Sequence, residues 1–281
     1  MKKIISIIGV GLIGGSIGMS LKKTKKFKII GIGRHPEKLK LAKKLNAIDE
    51  YTDDFEYGVK NSHFIIISTP VNIISDIYKK ILPYLKKDAI VTDVGSIKFP
   101  IIKNILNTKN PEFFIGSHPL TGSEKQGIEF ANPDIFKNAV VVITPLNNDF
   151  TKINKLKKLW ELTHADVLIM SAKQHDKLVS FISHLPHILS ACLVNFVANK
   201  NKKYLQLKKL VAGSFRDMTR ISDSDVENWV DICNLNKNFL KKAIDEYIKL
   251  VSRIDLNSIN SLKKVFYNAK INRKKILERN D

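Results

Sequence analysis

The chain has 281 residues, 44% hydrophobic and 26% charged, the composition of a globular protein with room for two domains. Its 47 Lys and Arg against 27 acids give a formal charge of +20, yet the lysines spread over nearly every helix and loop with no zinc-finger spacing or aromatic-interleaved basic motif, so specific nucleic-acid binding is not expected. No apolar run approaches the ~20 residues of a bilayer span, no signal peptide precedes the first apolar segment, and Cys192 and Cys233 stand in no metal or redox spacing, which together predict a reduced, cytoplasmic protein without a metal site.

The chain opens with an apolar run, Ile4 to Ile8, that stops at Gly9 and continues through Gly11 and Gly14 into helix-forming residues. Strand, tight turn and helix carrying G-x-G-x-x-G predict a dinucleotide site. Gly9 permits the turn, Gly11 lets a pyrophosphate reach the backbone, and Gly14 lets helix and strand pack closely. The helix start, with Leu12 and Ile13, offers free N–H groups and a positive dipole end. Phe27–Gly33 reads as strand 2 and Pro36–Leu45 as a helix. His63–Thr69 is a buried parallel strand, with Ser68, Thr69 and Pro70 at its cofactor end. An amphipathic helix, Ile73–Leu85, leads to strand 4, Ala89–Val94, which carries Asp93 toward the cofactor. Further strands are read at Phe113–Gly116, Ala139–Thr144 and Asp166–Met170, with a lysine-rich helix at Phe150–Leu162. This alternation predicts an α/β, doubly wound Rossmann-type parallel sheet over residues 1–170. From Ser171 no strand is read. Helices are expected at Gln174–Leu185, His187–Asn199, Asn201–Ala212, Trp229–Val251 and Ser258–Leu277, forming an all-helical domain over residues 171–281.

At the end of strand 2, where an acid usually accepts from the ribose 2′-hydroxyl, the chain has Gly33, Arg34 and His35. Gly33 leaves room for a 2′-phosphate and Arg34 can grip it, so NADP is preferred over NAD. The plainer alternative is that Arg34 stacks on adenine or stays solvated.

Three segments remain: Thr92–Lys98 (TDVGSIK), Gly116–Gly127 (GSHPLTGSEKQG), and Ser183–His187 (SHLPH) followed by Gly213–Ile221 (GSFRDMTRI). In this order they resemble the prephenate/arogenate dehydrogenase family of tyrosine biosynthesis, over nearly the whole chain. The resemblance implies oxidation of a cyclohexadienol at the carbon bearing the 4-hydroxyl, with loss of the ring carboxylate as CO2. It implies that His118 is the catalytic histidine. A neutral imidazole suits acceptance of the hydroxyl proton near neutral pH. Ser96 matches the serine that bonds the same hydroxyl; it could equally cap a helix starting near Ile97. Lys98 is expected to face solvent.

The resemblance also implies that Arg220 binds substrate, as a guanidinium can grip a carboxylate with two bonds. It places His187 on the substrate side chain, with His184 and Ser183 lining the pocket. Arg216, four positions before Arg220, is expected on the same helix as a second binder or a structural ion-pair partner, and Asp217 as an orienter of Arg220. Glu124 matches an acid at the pocket entrance, with a solvated loop acid as the plain alternative. A metal pair of His184 and His187 is rejected for want of a third ligand. His63, His164 and His175 are read as structural or solvated, and Trp229 and Phe239 as apolar contacts.

A homodimer through the helical domain is implied. Two departures stand out: the segment after Arg220 lacks the proline expected after its Asp, and Gly33 replaces the strand 2 acid. With Asp281 as the last residue, any tyrosine inhibition is expected to act at the active site, and no chorismate mutase helix is expected before Met1. The rival readings are another dehydrogenase or reductase of this architecture on a small anionic substrate, and a non-catalytic dinucleotide-binding protein.

Overall fold

The computed structural model describes residues 2–123 and 125–278. The apolar runs become strands β1 (Lys3–Ile8), β2 (Phe27–Ile32), β3 (Glu50–Thr52), β4 (Phe64–Ile67) and β5 (Ile90–Asp93). They form a parallel sheet in the order β3-β2-β1-β4-β5. Ile5, Ile7, Ile29, Ile65 and Ile67 have no accessible surface, as strands covered on both faces require. The covering helices are α1 (Leu12–Lys23), α2 (Pro36–Lys44), α3 (Phe55–Val59), α4 (Ile74–Ile81), α5 (Phe99–Leu106) and α6 (Phe150–Glu161). One apolar cluster joins Ile5, Ile17 and Trp160 on one side; a second joins Ile65, Tyr78 and Ile101 on the other.

A second, three-stranded sheet is mixed. Strand β6 (Ile115–Pro119) runs antiparallel to β7 (Val140–Pro145), and β8 (Asp166–Ile169) parallel to β7. A parallel bridge from Val91 to Phe114 joins this second sheet to β5. The reason lies in the connection: among the described residues of 120–139 the one helical element is a 3-10 turn at Ile128–Phe130, and antiparallel partners need no crossover helix. His118 therefore sits in a strand rather than beyond one.

The helical part begins with α7 (Ala172–Val179), capped where Ser171 Oγ accepts from Gln174 N at 3.2 Å. A π turn at Ser180–His184 passes it into α8 (Leu185–Asn201). Taken together, the 30 helical residues Ala172–Asn201 are apolar enough by length and composition to cross a bilayer, which the count of uninterrupted apolar residues missed because Ser, His and Pro break the run without adding charge. Then follow α9 (Leu207–Leu210), α10 (Gly213–Thr219), a 3-10 turn Arg220–Asp223, α11 (Val226–Leu235), α12 (Lys237–Ser252) and α13 (Ile259–Leu277). The helix expected at Asn201–Ala212 shrinks to α9, in a segment with no buried residue to anchor it. The one expected at Trp229–Val251 breaks at Asn236, whose amide donates to Asp176 O at 2.9 Å and His184 Nδ1 at 3.0 Å. Arg216 and Arg220 do not share one α-helix.

Helix α1 lies close to its neighbours because it is glycine-rich. A Cβ added at Gly18 would stand 2.1 Å from the Ala47 carbonyl oxygen. Alanine gains ~1 kcal/mol of helix propensity over glycine, but the obstacle here is backbone. Gly18→Ala is expected to destabilise the protein by about 2 kcal/mol net, read as a lower midpoint in urea unfolding.

Candidate active site

The carboxyl ends of β1, β4, β5 and β6 open on one cleft of about 380 Å³. Gly11, Leu12, Ile13, Ser68, Thr69, Pro70, Gly95, Ser96 and His118 line it, with Ser224, Asp225, Asn228 and Trp229 from the helical part. The glycine turn has the form its spacing predicted. Gly9 has φ +90°, and a Cβ there would lie 2.3 Å from Ser68 O; one on Gly14 would lie 2.2 Å from Gly9 O. A Cβ on Gly11 would meet nothing within 4 Å. The start of α1 carries no side-chain cap and no acid in its first turn, so its N–H groups and dipole face open space. Thr69 Oγ1 is buried with no hydrogen-bond partner among the described residues. These features fit a bound dinucleotide pyrophosphate.

His118 is held by its neighbour. Ser117 N donates to Asp93 Oδ1 at 3.1 Å, and Ser117 O accepts from Lys98 Nζ at 2.8 Å. Ser117 Oγ shares a hydrogen with Thr92 Oγ1 at 2.7 Å and accepts from Trp160 Nε1 at 3.1 Å. Asp93 and Lys98 form an ion pair without accessible surface. Burial pushes the Lys98 ammonium pKa down, opposed by the Asp93 carboxylate.

His118 keeps 9% of its surface, on the cleft. Its Nδ1 lies 2.8 Å from Nε2 of His175, and Nδ1 of His175 lies 2.7 Å from Asp176 Oδ1. The Asp176 carboxylate also accepts from Lys98 N and Phe99 N, each at 2.8 Å. Burial holds the His118 pKa well below the ordinary imidazole value, and the positive sides of His175, Lys98 and His184 add to this.

On the helical side the His187 ring stacks on Trp229, 3.5 Å between centroids at 21°. Its Nδ1 lies 2.9 Å from Ser183 O. Burial lowers the His187 pKa, and the charge of Arg220 lowers it further. Arg220 is exposed at the start of the 3-10 turn and does not line the cleft with His118; its charge is felt by His187, which stacks on Trp229. His184 is buried, with its pKa lowered to about 4 by burial.

Several expectations change. Asp93 does not line the cleft; its carboxylate is spent on Lys98, Gly95 N and Ser117 N. Lys98 does not face solvent. Ser96 lines the cleft but caps nothing, because α5 starts at Phe99 with Lys98 before it. Buried His184 reaches Trp229 edge-on and is not part of the cleft lining. Asp217 is exposed on α10 and Ser183 half-buried. Gly33, Arg34 and His35 lie beyond the end of β2, the last two exposed, with His35 Nδ1 3.6 Å from Glu37. Glu124 lies outside the described residues. His175, Asp176 and Asn236 were missed as site residues. A His-Asp pair at a helix start carries no sign of a partner 57 residues away.

A parallel nucleotide-type sheet, an open glycine turn and a buried histidine on one cleft define a two-domain, dinucleotide-dependent dehydrogenase. A family model described as "Prephenate dehydrogenase, nucleotide-binding domain" matches residues 17–169, and "Prephenate dehydrogenase, dimerization domain" matches 171–263. The chain belongs to the prephenate dehydrogenase family. It is 36% identical to the prephenate dehydrogenase of Bacillus subtilis over 258 residues, 90% of this chain and 70% of that protein. The crystal structure of the A. aeolicus prephenate dehydrogenase with hydroxyphenyl propionate and NAD+ matches with TM-score 0.89 at 31% identity, over 98% of this chain and 99% of that one. That of the Synechocystis arogenate dehydrogenase matches with TM-score 0.81 at 28% identity, over 98% and 100%.

Desolvation of three histidines makes stability depend on pH. His118, His184 and His187 have folded pKa values below the unfolded 6.5, so the unfolded chain binds more protons as pH falls through 6.5. Stability is full above that pH and falls below it. For His184 the loss is about 1 kcal/mol by pH 5.5. Denaturant midpoints at pH 7.5 and 5.5 measure the sum of the three.

Proposed function

We propose that the chain oxidises prephenate or arogenate with a nicotinamide dinucleotide, the ring aromatising as CO2 leaves, and that His118 is the base. The observation that supports this most is His118 on the same cleft wall as Gly11 and the open start of α1. The dinucleotide, when bound, supplies the hydride acceptor. Gly11 and the N–H groups of Leu12 and Ile13 hold its phosphates, with Ser68, Thr69 and Pro70 beside them. Ser96 and His118 meet the substrate hydroxyl from neighbouring strand ends, and neutral His118 takes its proton. Trp229 closes the cleft from the helical side and presses on His187, which holds the substrate side chain with Arg220 near it. Asp217 is assigned to the setting of Arg220.

On the cofactor, Gly33 offers no carboxylate against a 2′-phosphate, and the nearest neighbour of a Cβ there would be the Leu39 side chain, at 3.5 Å. With Arg34 exposed beside it, NADP is the preferred partner. We take the domains as residues 1–170 and 171–281 and the functional unit as a homodimer. The helical part leaves Ile182, Phe196 and Phe266 each more than half exposed in one chain, which supports a second copy covering them. Free Cys192 and Cys233 support a reducing, cytoplasmic setting.

The central test is His118→Asn, assayed with prephenate and arogenate, each with NAD and NADP. Turnover should fall by about 10²- to 10⁴-fold, the range of general acid–base catalysis, while the dinucleotide still binds. Unchanged turnover removes His118 from the chemistry. Arg34→Ala should cost NADP use selectively, about tenfold in kcat/KM for one lost charge-assisted contact; equal loss with both cofactors rejects the phosphate role.

A further inference from the structure

The contacts behind His118 fix which of its nitrogens carries the hydrogen. Asp176 is 1% exposed, and its carboxylate accepts two backbone N–H groups, of Lys98 and Phe99. An ionised carboxylate has no hydrogen to give, so His175 donates to it from Nδ1, across 2.7 Å. A neutral His175 then has its lone pair on Nε2. The atom facing that lone pair, at 2.8 Å, is Nδ1 of His118, which must bear the hydrogen. The remaining lone pair of His118 is on Nε2. Each assignment follows from the one behind it, as when an outer carboxylate fixes the tautomer of a working imidazole.

We propose that His175 and Asp176 are positioning residues that set His118 as an acceptor at Nε2 and carry the charge it gains in turnover. The proposal rests on the reading of His118 as the base. In the step, the substrate O–H bond breaks and an N–H bond forms at Nε2. The oxygen keeps the electron pair and becomes carbonyl as the neighbouring carbon gives its hydride to the oxidised dinucleotide. His118 is then an imidazolium whose Nδ1–H points at the Nε2 lone pair of His175. Transfer of that hydrogen leaves His118 neutral and puts the charge on His175, against the Asp176 carboxylate. The other ionisable groups around the pair are Lys98 with Asp93 on the sheet side and His184 on the π turn. The Lys98 ammonium repels a charge on His118, while His184, its pKa lowered to about 4, is neutral at the pH of turnover, so Asp176 is the group that makes deeper transfer favourable.

The competing account is that Asp176 only caps the start of α5 and His175 only fills space. The experiment uses the full chain with its dinucleotide bound, ¹⁵N-labelled at histidine and assigned with His118→Asn. At pH 7.5 the His118 signals should show a protonated Nδ1 and an unprotonated Nε2; the opposite tautomer overturns the proposal whatever the variants do. His175→Phe removes the acceptor. It should bring in the Nε2–H form and lower kcat roughly 100-fold, with KM within about threefold. His175→Gln, whose carbonyl can accept from Nδ1, should restore part of that kcat. His175→Phe with wild-type kcat and an unmoved tautomer overturns the relay, and if His118→Asn is inactive the base survives it. Full activity in both variants overturns the base as well.

Discussion

Asp93 and Lys98, five residues apart and both without accessible surface, tie the loop after β5 to the strand that carries the histidine. Taking two charges out of water costs several kcal/mol each, and mutual attraction repays this only when the leftover lone pairs and hydrogens are used. Here they are: Asp93 also accepts from Gly95 N and Ser117 N, and Lys98 gives a second hydrogen to Ser117 O. Such a pair adds little to net stability compared with a well-packed apolar substitute. What it supplies is register. The loop bearing Ser96 and the strand bearing His118 cannot slide past one another without leaving a buried charge unpaired.

The same loop is gripped from the other domain. Asp176 on α7 accepts the N–H groups of Lys98 and Phe99, so a helical residue caps the first turn of a helix that covers the sheet. Asn236 then ties the backbone of Asp176 to His184. Apolar packing follows the same seam. Ala172 and Ile232 belong to the core cluster on one face of the sheet, with Trp229 packed against it. The cleft is therefore walled by two domains that share one core, and its walls are fixed by hydrogen bonds rather than by loops.

What could be read from the sequence divides along physical lines. The central strands were legible because a strand buried on both faces must be apolar throughout, and the glycine turn because its spacing is imposed by backbone geometry at Gly9 and Gly14. The family was legible from short motifs in order. Strand β3 was not, being three half-buried residues at the sheet edge. The reversal at β7 was not, because pairing direction depends on the connection and not on the strand. Lys98 was misread because lysine is rarely buried without a partner, and its partner was assigned to the cofactor. His175 looked inert because the contact that distinguishes it, with His118, is distant in sequence.

The π turn at Ser180–His184 carries a geometric consequence. In an unbroken α-helix residues nine apart, such as His175 and His184, point about 180° away from each other. A π turn takes up one extra residue per turn, and that residue rotates everything downstream, so His184 and His187 come round to the side on which His175 is buried. The placement of three histidines thus hangs on one surplus residue. A chain shortened by one position within 180–184 would keep its sheet and its glycine turn, yet present the wrong flank of α8 to them, an outcome that no comparison of side-chain chemistry would foresee.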